Sequence, residues 1–250
     1  MIGRGSRTVA IALAVALGAG GCRGASSTST SHARATRSST TATTRTTGTV
    51  IPPGSVALVN GSPITQATFD HWMFVAAQSQ AAQSPGQPVI VPTDPPGFKG
   101  CITQVRQKIP SLKQAPDKTL KADCAQLYRS LSSQVMDYLI RADWIQADGA
   151  RHGVVPTQAQ VVRTMNAAKD KQFPGGAGWQ AFLTKTGQTQ QDLLFRFRIN
   201  VILERLVARE KGSATAKENA VSRREKRLYL AETRCTPFVA MADCSNYRAG

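Results

Sequence analysis

The sequence lacks the residue spacings that hold a metal ion. It has no Cys-x-x-Cys pair, and its three histidines do not lie near any of its five cysteines at metal-ligand spacing. Helix-turn-helix, zinc-finger and RNA-binding aromatic motifs are also missing, and the chain shows no internal repeat of 20–50 residues. We therefore expect no metal, no cofactor and no nucleic-acid partner, although the net charge is +16.

The chain also has no apolar run near its start that is long enough to span a bilayer, which takes about 20 residues. Two arginines precede an apolar run over residues 9–17, and small residues then lead to Cys22. This order predicts a secretory signal over residues 1–21. The end of the segment resembles the lipobox of bacterial lipoproteins, except that Ala19 stands where leucine is usual. The resemblance implies a lipid anchor on Cys22 at the extracytoplasmic face of the cell membrane; ordinary cleavage nearby is the alternative.

Without Cys22, an even number of cysteines remains: Cys101, Cys124, Cys235 and Cys244. In an oxidising compartment four cysteines are expected to form two disulfides, for which three connectivities are possible. We expect the local pairs 101–124 and 235–244, because they close the shortest loops.

Residues 23–49 contain no aromatic residue and are nearly all Ser, Thr, Ala, Gly and Arg. Such a composition cannot bury enough apolar surface to offset the entropy of ordering, so we expect a flexible stalk over 22–53 and a folded domain over 54–250. The first 50 residues hold six arginines and no acid. The remainder therefore carries 25 cationic and 15 acidic residues, or +10. A basic surface of this kind suits anionic lipid headgroups.

The folded part shows mostly helical signals after one short hairpin. Residues 56–59 and the Asn60-Gly61 turn predict two antiparallel strands, and Thr65 is placed to cap a helix. A loop rich in proline follows over 83–100. Apolar residues spaced three or four apart then predict a helix of about 30 residues that ends near Gly153: Leu120, Cys124, Leu127, Leu131, Val135, Tyr138, Ala142 and Ile145.

Further capping signals divide the remaining chain. Thr157 and Thr189 each begin a capping box, and the last helix is expected at about 217–232. The acids at 137, 143 and 148 alternate with arginines on the long helix, a pattern typical of a solvated face. The fold class is therefore mostly α, with a short N-terminal β-hairpin and a C-terminal helix.

Several segments resemble one family in the same order. They are VALVNGSPITQATFDHWM (56–73), VMDYLIRADWIQADGARHGVVPTQAQV (135–161), the stretch 173–183, GQTQQDLLFRFRINVILERL (187–206) and a Thr-x-Cys…Cys tail (Thr233, Cys235, Cys244). Together they resemble the SurA and PrsA extracytoplasmic foldases. The resemblance implies a helical chaperone domain like the SurA N-terminal domain over 54–250, which binds unfolded or newly exported polypeptides.

Many members of that family also insert a parvulin prolyl-isomerase domain before the C-terminal helix. At that place this chain has only Gly-Ser-Ala-Thr-Ala (212–216), whereas a domain of that kind needs on the order of 100 residues. We therefore expect binding without catalysis and assign no catalytic residue. A prolyl isomerase and an envelope scaffold lipoprotein remain as alternatives.

Aromatic residues are the candidate client-binding positions, because helical chaperones hold clients in apolar hollows through adaptable contacts. The alternative is that the same rings belong to the core. The candidates are Trp72, Trp179, Phe182, Phe195 and Phe197.

Overall fold

The computed structural model describes residues 50–84 and 86–248. The predicted signal segment, Cys22 and the stalk as far as residue 49 lie outside the described residues. The first element of the described residues is strand β1 (Ser55–Val59), which turns through Asn60-Gly61 into strand β2 (Ser62–Thr65). Both turn residues have positive φ, 47° and 77°, as a type I′ turn requires. The predicted hairpin is confirmed.

A third strand, β3 (Thr233–Cys235), was not expected from the sequence. It pairs antiparallel with β1, so that the sheet order is β2-β1-β3. In this register Ala57 lies opposite Cys235, and Val59 lies opposite Thr233. The C-terminal segment therefore returns to the first strand of the domain.

Helices account for most of the remaining structure, so the mostly α class is confirmed. The described residues contain α1 (Gln66–Gln83), α2 (Lys99–Lys108), α3 (Asp117–Arg151), α4 (Gln158–Gln172), α5 (Trp179–Thr186), α6 (Gln190–Ala208) and α7 (Ala214–Tyr229). Over the part of the chain that the structure describes, no helix combines the length and the apolar character needed to cross a membrane.

The predicted helix starts are confirmed at three threonines. Thr65 accepts a hydrogen bond from the Thr68 amide, and Thr157 and Thr189 each form a full capping box. The last helix begins earlier than expected, because Ser213 accepts from the Ala216 amide and caps it. Each start is determined by atoms three residues apart, which is why local sequence reveals it.

The core forms three groups around α3 and α6. The largest joins the sheet, α1, α2 and the first part of α3. A second group lies where α3, α6 and α7 meet, and a third lies between α4, α5 and α6. The expected cysteine pairs are at disulfide distance: 2.00 Å separates the sulfurs of Cys101 and Cys124, and 2.05 Å those of Cys235 and Cys244.

The expectation that Asp148 lies on a solvated face is wrong. Its side chain is fully buried, and one oxygen accepts two hydrogen bonds from Arg224 on α7, at 3.0 and 2.6 Å. The acid holds the last helix against α3. The pattern of alternating charges did not reveal this role, because the partner lies 76 residues away in sequence.

Candidate functional site

A groove lies along the second half of α1. We call it the α1 groove; it encloses about 410 Å³. Among the described residues, its lining holds no charged side chain. The apolar residues are Ala77, Ala81, Pro88, Ile90, Ile109 and Leu127, and the polar ones are Gln80, Gln83, Ser84 and Gln87. The groove thus combines an apolar surface with neutral amide groups that can both donate and accept hydrogen bonds.

One wall of the α1 groove is an irregular segment that side chains of α2 hold in place. The Gln104 amide accepts from the Val91 N–H at 3.1 Å and donates to the Val91 carbonyl at 2.9 Å. Lys108 donates to the Val89 carbonyl at 2.8 Å. Because the cysteine pair 101–124 connects α2 to α3, this wall is tied through α2 to the long helix, which contributes Leu127 to the lining.

A second recess lies near the start of α1, beside Phe238. We call it the Phe238 crevice; it encloses about 320 Å³ and is lined by β1, the start of α1, the segment 92–95 and the C-terminal loop. Phe238 is 57% exposed, the most exposed aromatic ring of the described residues. The ring thus adds apolar surface at the edge of the recess.

Two of the candidate aromatics lie in or against the main core. Trp72 is 6% exposed and packs against Tyr138 and Phe195, with ring centroids 4.9 and 6.1 Å apart. The Arg196 guanidinium lies 5.1 Å from the Trp72 centroid. Phe195 is half-buried in the same cluster. Trp72 therefore presents almost no surface to a client in this conformation.

The other three candidates share the small core between α4, α5 and α6. Trp179 and Phe182 stack with centroids 5.8 Å apart, and Phe173 packs against both rings. Phe197 packs against the same core, and all four rings are half-buried. The structure thus brings Trp179, Phe182 and Phe197 together, at a different place from Trp72 and Phe195. Their role in binding clients stays a prediction.

The two described histidines have separate acidic partners. His71 on α1 lies 2.8 Å from Asp192 on α6, and His152 lies 3.5 Å from Asp148. Asp192 also accepts from the Thr189 amide and hydroxyl, so the pair joins the α6 cap to α1. Sequence reasoning missed this pair, because its members are far apart in sequence. Within the described residues, no group of three metal-binding side chains is present.

Buried charges gather where α7 packs on α3. Glu225 is almost fully buried, and burial, with the nearby Asp148 carboxylate, raises its pKa to about 7; Arg141 and Arg224 act in the opposite direction. Perturbed carboxyls can mark active sites, but structural ion pairs perturb pKa values as well. Neither recess borders this group of charges. We therefore assign it to holding α7 in place.

The α1 groove and the Phe238 crevice are candidate binding sites among the described residues, and neither was predicted. The groove lacks the large aromatics on which the prediction relied, because its apolar surface comes from alanine, proline and aliphatic side chains. Comparison with known proteins gave no family model, curated protein or solved structure that matches the chain.

Proposed function

We propose that this protein is an exported, membrane-anchored chaperone that holds unfolded polypeptides without catalysis. The α1 groove is the observation that carries the proposal. An unfolded chain exposes apolar side chains and unpaired backbone amides together, and the groove offers partners to both. The lining residues that the structure describes are uncharged, so they would not repel a charged client side chain at close range, which suits clients of varied sequence.

Two features support binding without turnover. The connection between α6 and α7 spans residues 209–213, at the place where the foldases that the sequence resembles can carry a parvulin domain. The described histidines also lie apart and pair with different acids. Holding a client requires apolar surface and adaptable hydrogen bonds, both of which the α1 groove supplies.

The test is suppression of aggregation of an unfolded exported protein, compared with acceleration of proline isomerisation in a peptide. We expect suppression at near-stoichiometric ratios and no acceleration of the isomerisation, which takes tens of seconds unaided. A saturable isomerase rate would replace the proposal with the enzymatic alternative. If neither activity is found, a scaffold role replaces it.

Amino-acid substitutions test whether clients bind in the α1 groove. Ala81→Glu places a charge and extra volume in the α1 groove, and Ala67→Glu makes the same change at an exposed position of α1 outside it. We expect the first variant to lose holding and the second to keep it, with equal helix content by circular dichroism. Phe182→Ala tests the alternative that the cluster between α4 and α6 binds clients. Loss of holding in that variant alone, with the fold intact, would move the site there.

The membrane anchor needs its own experiment. The proposal places the lipid on Cys22, so Cys22→Ser protein should leave the membrane fraction and lose metabolic acyl labelling. Labelling that persists in this variant contradicts the anchor without affecting the holding activity.

A further inference from the structure

The Phe238 crevice differs from the α1 groove in its charge. Its charged lining residues are Asp70 and Asp94, both acidic. Yet residues 50–248 carry 25 cationic and 15 acidic side chains, as counted from the sequence. Acidic charge in this recess, within a segment of net charge +10, opposes in sign the overall field of residues 50–248.

The two carboxylates are not equally available to a partner. Asp94 already accepts from the Lys99 amide at 2.7 Å and from the Gly100 amide at 3.2 Å, which fixes the start of α2. Asp70 is exposed, and within the described part of the chain its carboxylate accepts one hydrogen bond, from the neutral Gln66 side-chain amide. Neither acid forms an ion pair with another described residue. Asp70 is therefore the acceptor that an incoming cation would meet, and Asp94 adds to the field.

Aromatic rings line the same recess. Phe69 and Tyr128 lie edge to face with centroids 6.4 Å apart, and Phe238 stands exposed nearby. Phe238 lies in the loop closed by the Cys235–Cys244 pair, which the Thr236 amide attaches to β1 through a hydrogen bond of 2.8 Å to the Val56 carbonyl. The exposed ring is thus held on a fixed loop. Ring faces attract a cation within about 6 Å.

We infer that the Phe238 crevice binds a lysine or arginine side chain of the held polypeptide; this inference rests on the proposed function. The carboxylate of Asp70 pairs with the cationic head. The apolar stem, which basic side chains readily lay along apolar surface, packs against Pro92, Pro95 and Val239 of the lining.

The position of the crevice relative to the α1 groove gives the spacing in the client. Asp70 and Ala77 both lie on α1 and line the crevice and the groove respectively. Seven helical residues rise about 10 Å, which an extended chain covers in about three residues. The preferred client segment therefore has a basic residue about three positions from an apolar residue.

Fluorescence anisotropy with two labelled peptides tests the inference. Both peptides are Gly/Ser chains that contain one leucine. Three positions from the leucine, one peptide has lysine and the other has norleucine, the uncharged counterpart of lysine. We expect the full-length protein to bind the lysine peptide about three- to tenfold more tightly at low salt. Added salt should reduce the difference, because it screens exposed charges. The net positive charge of the protein alone would give the opposite preference, because it repels the lysine peptide.

Variants of Asp70 and Phe238 test whether these residues cause the preference for the lysine peptide. Asp70→Asn should abolish it, whereas Asp123→Asn, a matched change at an exposed acid of α3 outside the crevice, should leave it intact. Phe238→Ala keeps both carboxylates and should weaken the preference by removing one ring.

Equal binding of the two peptides, or a preference that survives Asp70→Asn, overturns the inference. If the protein still suppresses aggregation in that case, the proposed function stands without it. If neither peptide binds, the inference is also overturned, and loss of aggregation suppression in the same preparation would remove the proposed function with it.

Discussion

Replacing Glu225 with glutamine should change how the stability of the protein depends on pH. Glu225 is 1% exposed, and its Oε1 atom has no hydrogen-bond partner among the described residues. Burial is the main reason that its pKa rises to about 7, and Asp148 adds to the rise against the opposing effect of Arg141 and Arg224. Burial disfavours the charged form of an acid.

The sign and size of the effect follow from proton linkage. The ordinary pKa of this carboxyl is 4.5, so the unfolded chain loses its proton at a lower pH than the folded chain. The stabilisation is fully present below about pH 4.5 and is lost as the pH rises through about 7. One pKa unit is worth about 1.4 kcal/mol, so Glu225 should cost on the order of 3 kcal/mol of stability at neutral to alkaline pH relative to acid. The glutamine side chain does not titrate, so the Glu225→Gln variant lacks this pH-dependent loss of stability.

Urea unfolding followed by far-ultraviolet circular dichroism measures the difference. We expect the free energy of unfolding of Glu225→Gln, minus that of the unchanged protein, to grow by on the order of 3 kcal/mol from about pH 4.5 to about pH 7.5. Asp143, whose pKa burial also raises to about 7, is present in both proteins and cancels. Glu218→Gln, at an exposed position of α7, is the matched control. A difference that stays constant with pH refutes the reasoning.

Two further predictions concern long-range connections. Replacing both Cys101 and Cys124 with alanine should cost about 3 kcal/mol in chemical denaturation, since the pair closes a separation of 23 residues; a loss below about 1 kcal/mol would contradict that value. Asp192→Asn leaves the Thr189 cap and His71 without their carboxylate. It should cost about 1–2 kcal/mol, with faster amide exchange in the first turn of α6; unchanged exchange would contradict the assigned role.

Local features were readable from the sequence because their causes lie within a few residues. The helix starts at Thr65, Thr157 and Thr189 depend on atoms in the next turn. The start of α2 was not predicted, since its amides are held by Asp94, five and six residues upstream. Strand β3 has three residues and forms by pairing with β1. Neither feature has a local sequence periodicity from which it could be predicted.

The recesses escaped prediction for a different reason. The predicted client-binding positions were large aromatic rings, whereas the α1 groove is lined by small side chains such as Ala77 and Ala81, which leave space between α1 and its neighbours. A stretch of alanine and glutamine gives no strong amphipathic signal. Whether it lines a groove depends on which residues of other elements face it. Ile109 and Leu127 supply that surface from elements far along the chain. A groove of this kind is a property of tertiary packing.

The Asp148–Arg224 pair is the clearest case in which sequence pattern misled, and a double-mutant cycle measures what the pattern hid. Asp148 is 0% exposed, whereas the Arg224 side chain is 22% exposed and also pairs with Glu210. Arg224→Met leaves a buried carboxylate without its cation, which costs about 3–5 kcal/mol. Asp148→Asn leaves an arginine that keeps Glu210 and some contact with water, so the loss should be smaller. The double variant should lose less than the sum of the two, by about 1–3 kcal/mol. Strict additivity would show that α7 is held to α3 by apolar packing and not by this pair.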